Sequence, residues 1–467
     1  MASWCSAASA MTLREYLQEV ENQNQSVKSL RVATDAAGDL KTAGDMELIP
    51  VLTAELGYIH DQSPFGQFAT LGASDTKTTS YSLGLAKKFS TGTAVNISAT
   101  TYEIENTGIS IPQFTQFSKF GVGSLGVGLS QSLWRDFFGH ATRLRWDRQD
   151  VATEATVGRY DLQRKMLLVG AETAYWDYIY AKENLKISQD SLARAQRIES
   201  WTRRRVNDGI SERADLLSSQ ALVAARRLQL ISAEDDMAAA KRSLRDYLEL
   251  RTEDTLPDMS ESIMHDRALL SMVEGGKAGR VVALDAYLAS LDAKTRSLEA
   301  QETEDTLRPD LILSGSYNTN SFEEDMAEAT KHWVDTDRPT AKVALKWVYP
   351  FDLAPKSAAR EAARKGALVA KMQSERKALE SESAWIELNR RYSEMSKRMQ
   401  AAEEISRLQT AAAKAQTDLF NKGRSITANV INAEEDAGNA ELTLTKLRAE
   451  QRKMEAQARL FVIVEEK

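Results

Sequence analysis

From Ala141 to Asn207, and again from Lys356 to Asn421, the chain runs without a single proline. Nothing in such a backbone forces a helix to stop. At about 1.5 Å per residue the first run alone would be on the order of 100 Å long, a rod that no compact domain accommodates. Composition agrees. Only 8 prolines occur in 467 residues, and the strong helix formers Ala, Leu, Glu, Lys, Arg and Gln dominate long stretches. Alanines such as Ala221, Ala224, Ala225 and Ala238 to Ala240 let helices approach closely in coiled-coil seams.

Shorter segments surround the two rods, here expected over 141–207 and 356–421. The apolar spacing predicts a helix from Thr12 to about Gly44, opened by a Thr12/Glu15 capping box and stopped at Pro50. It also predicts helices over 211–250, 266–307 (ended by Pro309) and 425–464. Between helices the period switches to two. Leu52, Ala54, Leu56 and Tyr58 share one strand face. Tyr81, Leu83, Leu85 and Phe89 alternate with Ser82, Gly84 and Ala86, and Val95, Ile97 and Ala99 with Asn96, Ser98 and Thr100. Leu125, Val127, Leu129 and Leu133 follow the same rule, as do Leu311, Leu313 and Tyr317, then Val343, Leu345, Trp347 and Tyr349 up to Pro350. The predicted strands are 51–61, 79–89, 93–104, 122–134, 311–318 and 341–349, with Glu323-Glu-Asp325 in a loop. Apolar on one side and small polar on the other, they suit a soluble sandwich or a lipid-embedded barrel equally well.

A repeat organises these elements. Gly209-Ile-Ser-Glu-Arg-Ala-Asp-Leu-Leu-Ser-Ser-Gln220 matches Gly423-Arg-Ser-Ile-Thr-Ala-Asn-Val-Ile-Asn-Ala-Glu434. The shared positions are the polar residue (Asp215, Asn429), the apolar pair after it, and the final amide or acid. Glycine followed by Ser or Thr stops one helix and caps the next. Two copies, each ending a long helix, point to duplication, with a first unit over 11–257 and a second over 258–467. Pro50 lies 159 residues before Gly209, whereas Pro309 lies 114 before Gly423. The 45 extra residues of the first unit match the hairpin 79–104 with its flanking loop.

Other classes are excluded by what is missing. Lys and Arg are scattered in a chain of net charge −7, which leaves no basic face for nucleic acid. One cysteine, Cys5, rules out an intrachain disulfide framework, and His60, His140, His265 and His332 lie too far apart for ligand spacing. There is no nucleotide loop, zinc motif or nucleophile elbow, and Asp235-Asp236 and Glu403-Glu404 read as solvated helix faces. The chain is therefore expected not to be an enzyme and to need no cofactor or metal. No run of 18 apolar residues can form a membrane-spanning helix. Ala8-Ser9-Ala10 has the form of a secretory cleavage site, yet the charged and apolar stretches before it are missing. Either the start lies inside a signal peptide or the match is chance; residues 1–10 are read as a signal-peptide remnant.

Helix, strands, long helix, glycine turn and helix, repeated once, resembles the TolC-like outer membrane factors, the outer membrane efflux proteins. Local features carrying the likeness are Gln131-Ser-Leu133-Trp-Arg-Asp-Phe-Phe-Gly139 after a strand, Ala174-Tyr-Trp-Asp177 in the long helix, and both glycine turns. It covers essentially residues 11–467. The resemblance implies a mainly α fold with a transmembrane β-barrel portion. The long coiled-coil helices of a homotrimer would form a periplasmic α-barrel, and its strands one trimeric β-barrel in outer-membrane lipid. It further implies an exit duct for efflux or type I secretion, opened at its periplasmic helix tips by an adaptor protein that links it to an inner-membrane transporter. Gly209, Ser211, Asp215, Gly423, Arg424 and Ser425 would form the adaptor-contacting tips. Asn429 and Asn432 stand where the family's well-known channel has aspartates, removing up to six negative charges per trimer from the entrance constriction. Tyr81, Phe89, Trp347 and Tyr349 would sit at the membrane interface. Family members use four strands per protomer, so the hairpin 79–104 either joins the barrel or packs elsewhere. A non-pore coiled-coil scaffold of the cell envelope is the alternative; it explains the helices but not the strand blocks.

Overall fold

The computed structural model describes residues 11–63, 66, 68, 73–109, 111–251, 254–259, 269–275, 279–335, 337–349 and 351–464. Residues 1–10, His265, Asp266 and Pro350 lie outside them. In chain order the elements are α1 (Leu13–Gln23), α2 (Gln25–Gly44), β1 (Val51–Asp61), β2 (Asp75–Lys88), β3 (Thr93–Thr107), β4 (Lys119–Ser132), α3 (His140–Asn207) and α4 (Arg213–Leu248). There follow β5 (Glu274–Gly275), β6 (Arg280–Ala283), α5 (Leu284–Thr306), β7 (Asp310–Glu323), α6 (Met326–Lys331), β8 (Thr340–Val348), α7 (Leu353–Asn421), α8 (Thr427–Ala458) and β9 (Phe461–Val464). The two rods, α3 and α7, have 68 and 69 residues. The fold is mainly α with an antiparallel sheet portion.

Contacts divide the chain into two units, and each draws on both sequence halves. One comprises residues 37–155 and 290–373. Its six strands pair in the order β1-β2-β3-β4-β7-β8, antiparallel throughout. The sequence-predicted hairpin is β2–β3, hydrogen-bonded to β1 on one side and β4 on the other.

The junction from β4 into α3 is tightly built. Asp136 and Phe138 adopt positive φ, and the Asp136 carboxylate accepts from the backbone N–H of Thr142 (3.0 Å) and its hydroxyl (2.8 Å), closing the first turn of α3. Asp305, almost fully buried, receives the Asp136 N–H at 2.9 Å and an Arg308 guanidinium at 2.9 Å. Asp310 receives Ser132 Oγ and Arg135. The β2–β3 turn docks on this junction: a Cβ on Gly139 would run into the carbonyl of Ser90.

The second unit comprises residues up to 36, 156–289 and from 374. Its main core joins Tyr16 and Val20 of α1, Tyr175, Trp176 and Ile179 of α3, and Leu244 and Leu248 of α4. Tyr175 and Trp176, from the family-like motif, thus serve packing. The Tyr16 and Tyr175 rings pack at a tilt with centroids 5.4 Å apart, and Arg452 sits over the Trp176 ring. A small sheet, β5-β9-β6, covers a second core around Leu388 and Phe461.

Several elements differ from the sequence expectation. The Thr12/Glu15 capping box is present, but the helix it opens breaks at Asn24. The Asn24 amide donates to the Tyr247 carbonyl while its oxygen accepts from the N–H groups of Ser26 and Val27, so this residue ends α1 and starts α2. The helix expected over 266–307 begins only at Leu284, because Val281 and Val282 pair with β9. The helix expected over 425–464 ends at Ala458 for the same reason. Its last residues, Phe461-Val-Ile-Val464, are aromatic and β-branched and suit a strand. Glu323 belongs to β7 rather than to a loop, and Asp325 caps α6 by accepting from Glu328 N at 2.9 Å.

Candidate functional site

Strand register sorts the side chains of the large sheet onto two faces. One carries Leu52, Ala54 and Leu56 of β1, Leu83 and Leu85 of β2, Val95 and Ile97 of β3, and Leu125, Val127 and Leu129 of β4. It continues through Leu313 and Tyr317 of β7 to Val343, Leu345 and Trp347 of β8. These apolar side chains stand open rather than packed: Leu56 is 70% exposed, Leu83 50% and Val343 80%. The opposite face carries Ser82, Gly84, Asn96, Ser98, Thr100, Ser124, Gly126, Gly128, Ser130, Ser314, Ser316, Asn318 and Lys342. Glycine is used there to make room. A Cβ on Gly128 would meet the amide of Asn96, and one on Gly126 the amide of Asn318.

Aromatic side chains sit at both ends of the apolar face. Tyr58 and Tyr81 lie toward the end opposite the β2–β3 turn. At the other end Phe89 follows β2 beside Lys87, Trp347 stacks on Tyr349 with ring centroids 5.8 Å apart, and Phe351 meets Tyr349 edge-on at 6.0 Å. Lys356 Nζ lies 3.7 Å over Tyr349. From Tyr81 to Phe89 is roughly 26 Å along an extended strand, or roughly 20 Å across a membrane at the usual tilt. That is close to the apolar band of an outer-membrane barrel. Tyr58 and Phe351 were not singled out from sequence; Tyr58 shares the β1 alternation, and Phe351 continues that of Trp347 and Tyr349 but lies beyond Pro350, where the strand was expected to end.

In the helical unit both glycine turns take the left-handed conformation, Gly209 at φ +72° and Gly423 at φ +71°. Ile210 N donates to Arg205 O (2.8 Å) and Arg424 N to Leu419 O (2.8 Å), closing the last turns of α3 and α7. The helix caps are not the serines expected from the motif. Glu212 and Ile426 hold the N-cap positions. Asp215 accepts from the Glu212 N–H, and buried Ser425 donates to Gln416 Oε1 at 3.0 Å. Ser211 is half-buried, while Gly209, Gly423, Arg424, Asn429 and Asn432 are exposed.

The region near the two turns is knit by Ala195, Ile198, Leu222, Phe420 and Val430, with Arg205 over the Phe420 ring at 5.0 Å. Glu434, the last residue of the second motif, accepts from Arg194 Nε at 2.7 Å and so ties α8 to α3. A cleft of about 400 Å³ beside this pair is lined by Arg194, Arg197, Trp201, Lys414, Glu434 and Glu441. Two exposed apolar side chains at the turns, Ile210 and Ile426, escaped the sequence reading. Each is a single residue in a polar stretch, with no periodicity to mark it. No cluster of His, Cys, Asp or Glu fit to hold a metal occurs among the described residues.

Residues 16–248 match the family model described as outer membrane efflux protein. Toxin and drug export protein A of Aggregatibacter actinomycetemcomitans is 24% identical over 201 residues, an alignment spanning 42% of this chain and 42% of that protein. The outer-membrane channel OprN superposes with a TM-score of 0.65 at 17% identity, covering 95% of this chain and 88% of that one. VceC of Vibrio cholerae gives 0.65 at 13%, covering 95% and 94%, and the open-state MtrE channel of Neisseria gonorrhoeae 0.64 at 15%, covering 96% and 87%. At these identities the likeness is one of fold.

Proposed function

We propose that this chain, whose residues 16–248 match the outer membrane efflux protein family, is one protomer of an outer-membrane exit duct, a passive conduit with no chemistry of its own. One observation carries the reading: a six-stranded sheet exposes a continuous aliphatic face between aromatic ends and a small polar face behind it. In water the first face would be a liability; in lipid it is the required surface, with the second turned to a water-filled lumen.

The same sheet ends in two open edges, β1 and β8. Unpaired edges cannot persist in hydrocarbon, so copies must join edge to edge until the ring closes. The strand number is even, so β8 of one copy meets β1 of the next in antiparallel sense. A homotrimer fits this requirement. Exposed Leu379 and Ile386, seven residues apart on α7, are suited to cover between copies in the helical part. That part is assigned to the periplasm.

Its two turns, with Gly209, Ser211, Asp215, Gly423, Arg424 and Ser425, are assigned to the adaptor-facing tips, where Ile210 and Ile426 supply apolar anchors. An inner-membrane transporter would act through that adaptor. Asn429 and Asn432, one helical turn apart, are assigned to the entrance constriction, and Tyr81, Phe89, Trp347 and Tyr349 to the lipid interfaces.

Reconstitution tests the reading. The purified protein is expected in the outer-membrane fraction, as a detergent-stable trimer that conducts in planar bilayers. A protein that stays monomeric in detergent, or inserts without conductance, would overturn it.

A further inference from the structure

The hairpin β2–β3 is an insertion with respect to the second half of the chain, and a closed ring of strands does not by itself require it. It has the construction of a barrel wall. On one face it adds Leu85 and Ile97 in register with Leu52, Val127 and Tyr317 of the neighbouring strands, and Leu83 opposite Ala54. All three are more than two-fifths exposed. On the other it adds Ser80, Ser82, Gly84, Asn96, Ser98 and Thr100, the same small polar set that β4 and β7 present.

Its pairing is complete: 11 residue pairs to β1, 14 within the hairpin and 13 to β4 leave no part of it free to fold away. Its turn is clamped as well. Gly92 and Ser90 pack against Asp136 and Gly139 at the start of α3. Lys88 binds Glu47 at 3.1 Å, Glu47 also binds Arg145, and Arg145 and Arg148 share Glu302 at 3.2 and 2.8 Å.

We infer that the inserted hairpin is part of the transmembrane wall, so that three protomers close an eighteen-stranded barrel rather than the twelve-stranded one of a four-strand protomer. This rests on the channel reading above and goes beyond it. Strand spacing of about 4.8 Å and a tilt of about 40° set the circumference, giving a backbone diameter of roughly 36 Å for eighteen strands against roughly 24 Å for twelve. With about 5 Å of side chain on each wall, the bore widens from roughly 14 Å to roughly 26 Å. Cargo of the cross-section of a folded helical hairpin then passes the membrane segment without unfolding, and selection by size falls to other parts of the duct.

Cysteine scanning in the Cys5→Ser background tests the placement, with conductance read before and after a charged, water-soluble thiosulfonate. Ser82→Cys and Ser98→Cys are expected to change conductance on modification, and Leu83→Cys and Ile97→Cys to leave it unchanged. Ala344→Cys and Leu345→Cys on β8 serve as the reference pair. Alternation on β8 without alternation in the hairpin overturns the inference alone. No alternation on β8 overturns the channel reading and the inference with it. Single-particle imaging of the detergent-solubilised wild-type assembly gives the strand count: eighteen strands around the ring are expected, and a twelve-strand ring with the hairpin displaced sinks the proposal.

Discussion

The carboxylate of Asp305 accepts the backbone N–H of Asp136 at 2.9 Å. The acid at the end of α5 thereby holds the left-handed turn that carries β4 into α3. Asp136 in turn caps α3 through Thr142, so the buried acid supports a half-buried one. Asp305→Ala strips the partner from a half-buried donor and is expected to cost about 1–3 kcal/mol. Asp305→Asn keeps an acceptor for that N–H and should cost less. Thermal unfolding in detergent measures both, and equal losses would count against this role.

Gly209 and Gly423 both sit at positive φ, and an added Cβ at either position would meet nothing within 4 Å. The cost of Gly209→Ala or Gly423→Ala is therefore backbone strain alone, about 1 kcal/mol each. Hydrogen exchange should quicken at the amides of Ile210 and Arg424, which close the turns, while the rest of the helices stay protected. Asn at either position should be milder, since it tolerates this conformation better.

Arg452 binds both oxygens of Glu455 at 2.9 and 2.8 Å, and Tyr392 donates to the same carboxylate at 3.0 Å. Both charged side chains are buried. Arg452→Met leaves an uncompensated buried carboxylate and should destabilise by about 3–5 kcal/mol. Adding Glu455→Leu should recover most of that loss. A double variant no more stable than the single one would show that packing, not charge, holds the site.

The Asp258 carboxyl is held below its ordinary value, first by a hydrogen bond from Lys182 and then by Tyr178 and the Met259 N–H. Burial is the leading cause that pushes the Tyr178 hydroxyl up to about 12. A lowered carboxyl contributes stability above its unfolded value and loses it as the pH falls through the lowered one. The contact that anchors the start of α1, Met11 N to Asp258 O at 2.7 Å, should therefore loosen only below the ordinary carboxylate range. Asp258→Asn should abolish that pH dependence. Hydrogen exchange at the Met11 amide, followed from neutral to acid pH, reads it directly.

Asn429 and Asn432 are exposed and one turn apart on α8. Asn429→Asp with Asn432→Asp should raise cation selectivity and introduce block by divalent cations, because paired carboxylates concentrate counter-ions at a narrow entrance. Reversal potentials under a salt gradient measure the change. Strong cation selectivity in the unaltered protein would remove these residues from the constriction.

Local features were read well because their physics is local. The absence of proline from 141–207 and 356–421 meant uninterrupted helices, and α3 and α7 are those helices. Two-residue alternation located β1, β2, β3, β4, β7 and β8, since a strand with one apolar face writes that face into every second position. Glycine after a long helix marked both turns. The misreadings have a common origin in partners distant along the chain. Val281-Val282 and Phe461-Val-Ile-Val464 are strands only because they pair with each other across 180 residues. Asn24 breaks a helix because the Tyr247 carbonyl is there to receive its amide, and Ser425 turns inward because Gln416 accepts its hydroxyl.

Periodicity along the chain thus sufficed for the identity of the rods, the two-faced strands and the turns, for each depends on neighbours within a few residues. The order β1-β2-β3-β4-β7-β8, the place of the inserted hairpin within it and the burial of Asp305 beside Asp136 depend on which distant segments meet. A strand's alternation is the same whichever strand lies beside it, so pairing is absent from the pattern and appears only when the backbone hydrogen bonds are made.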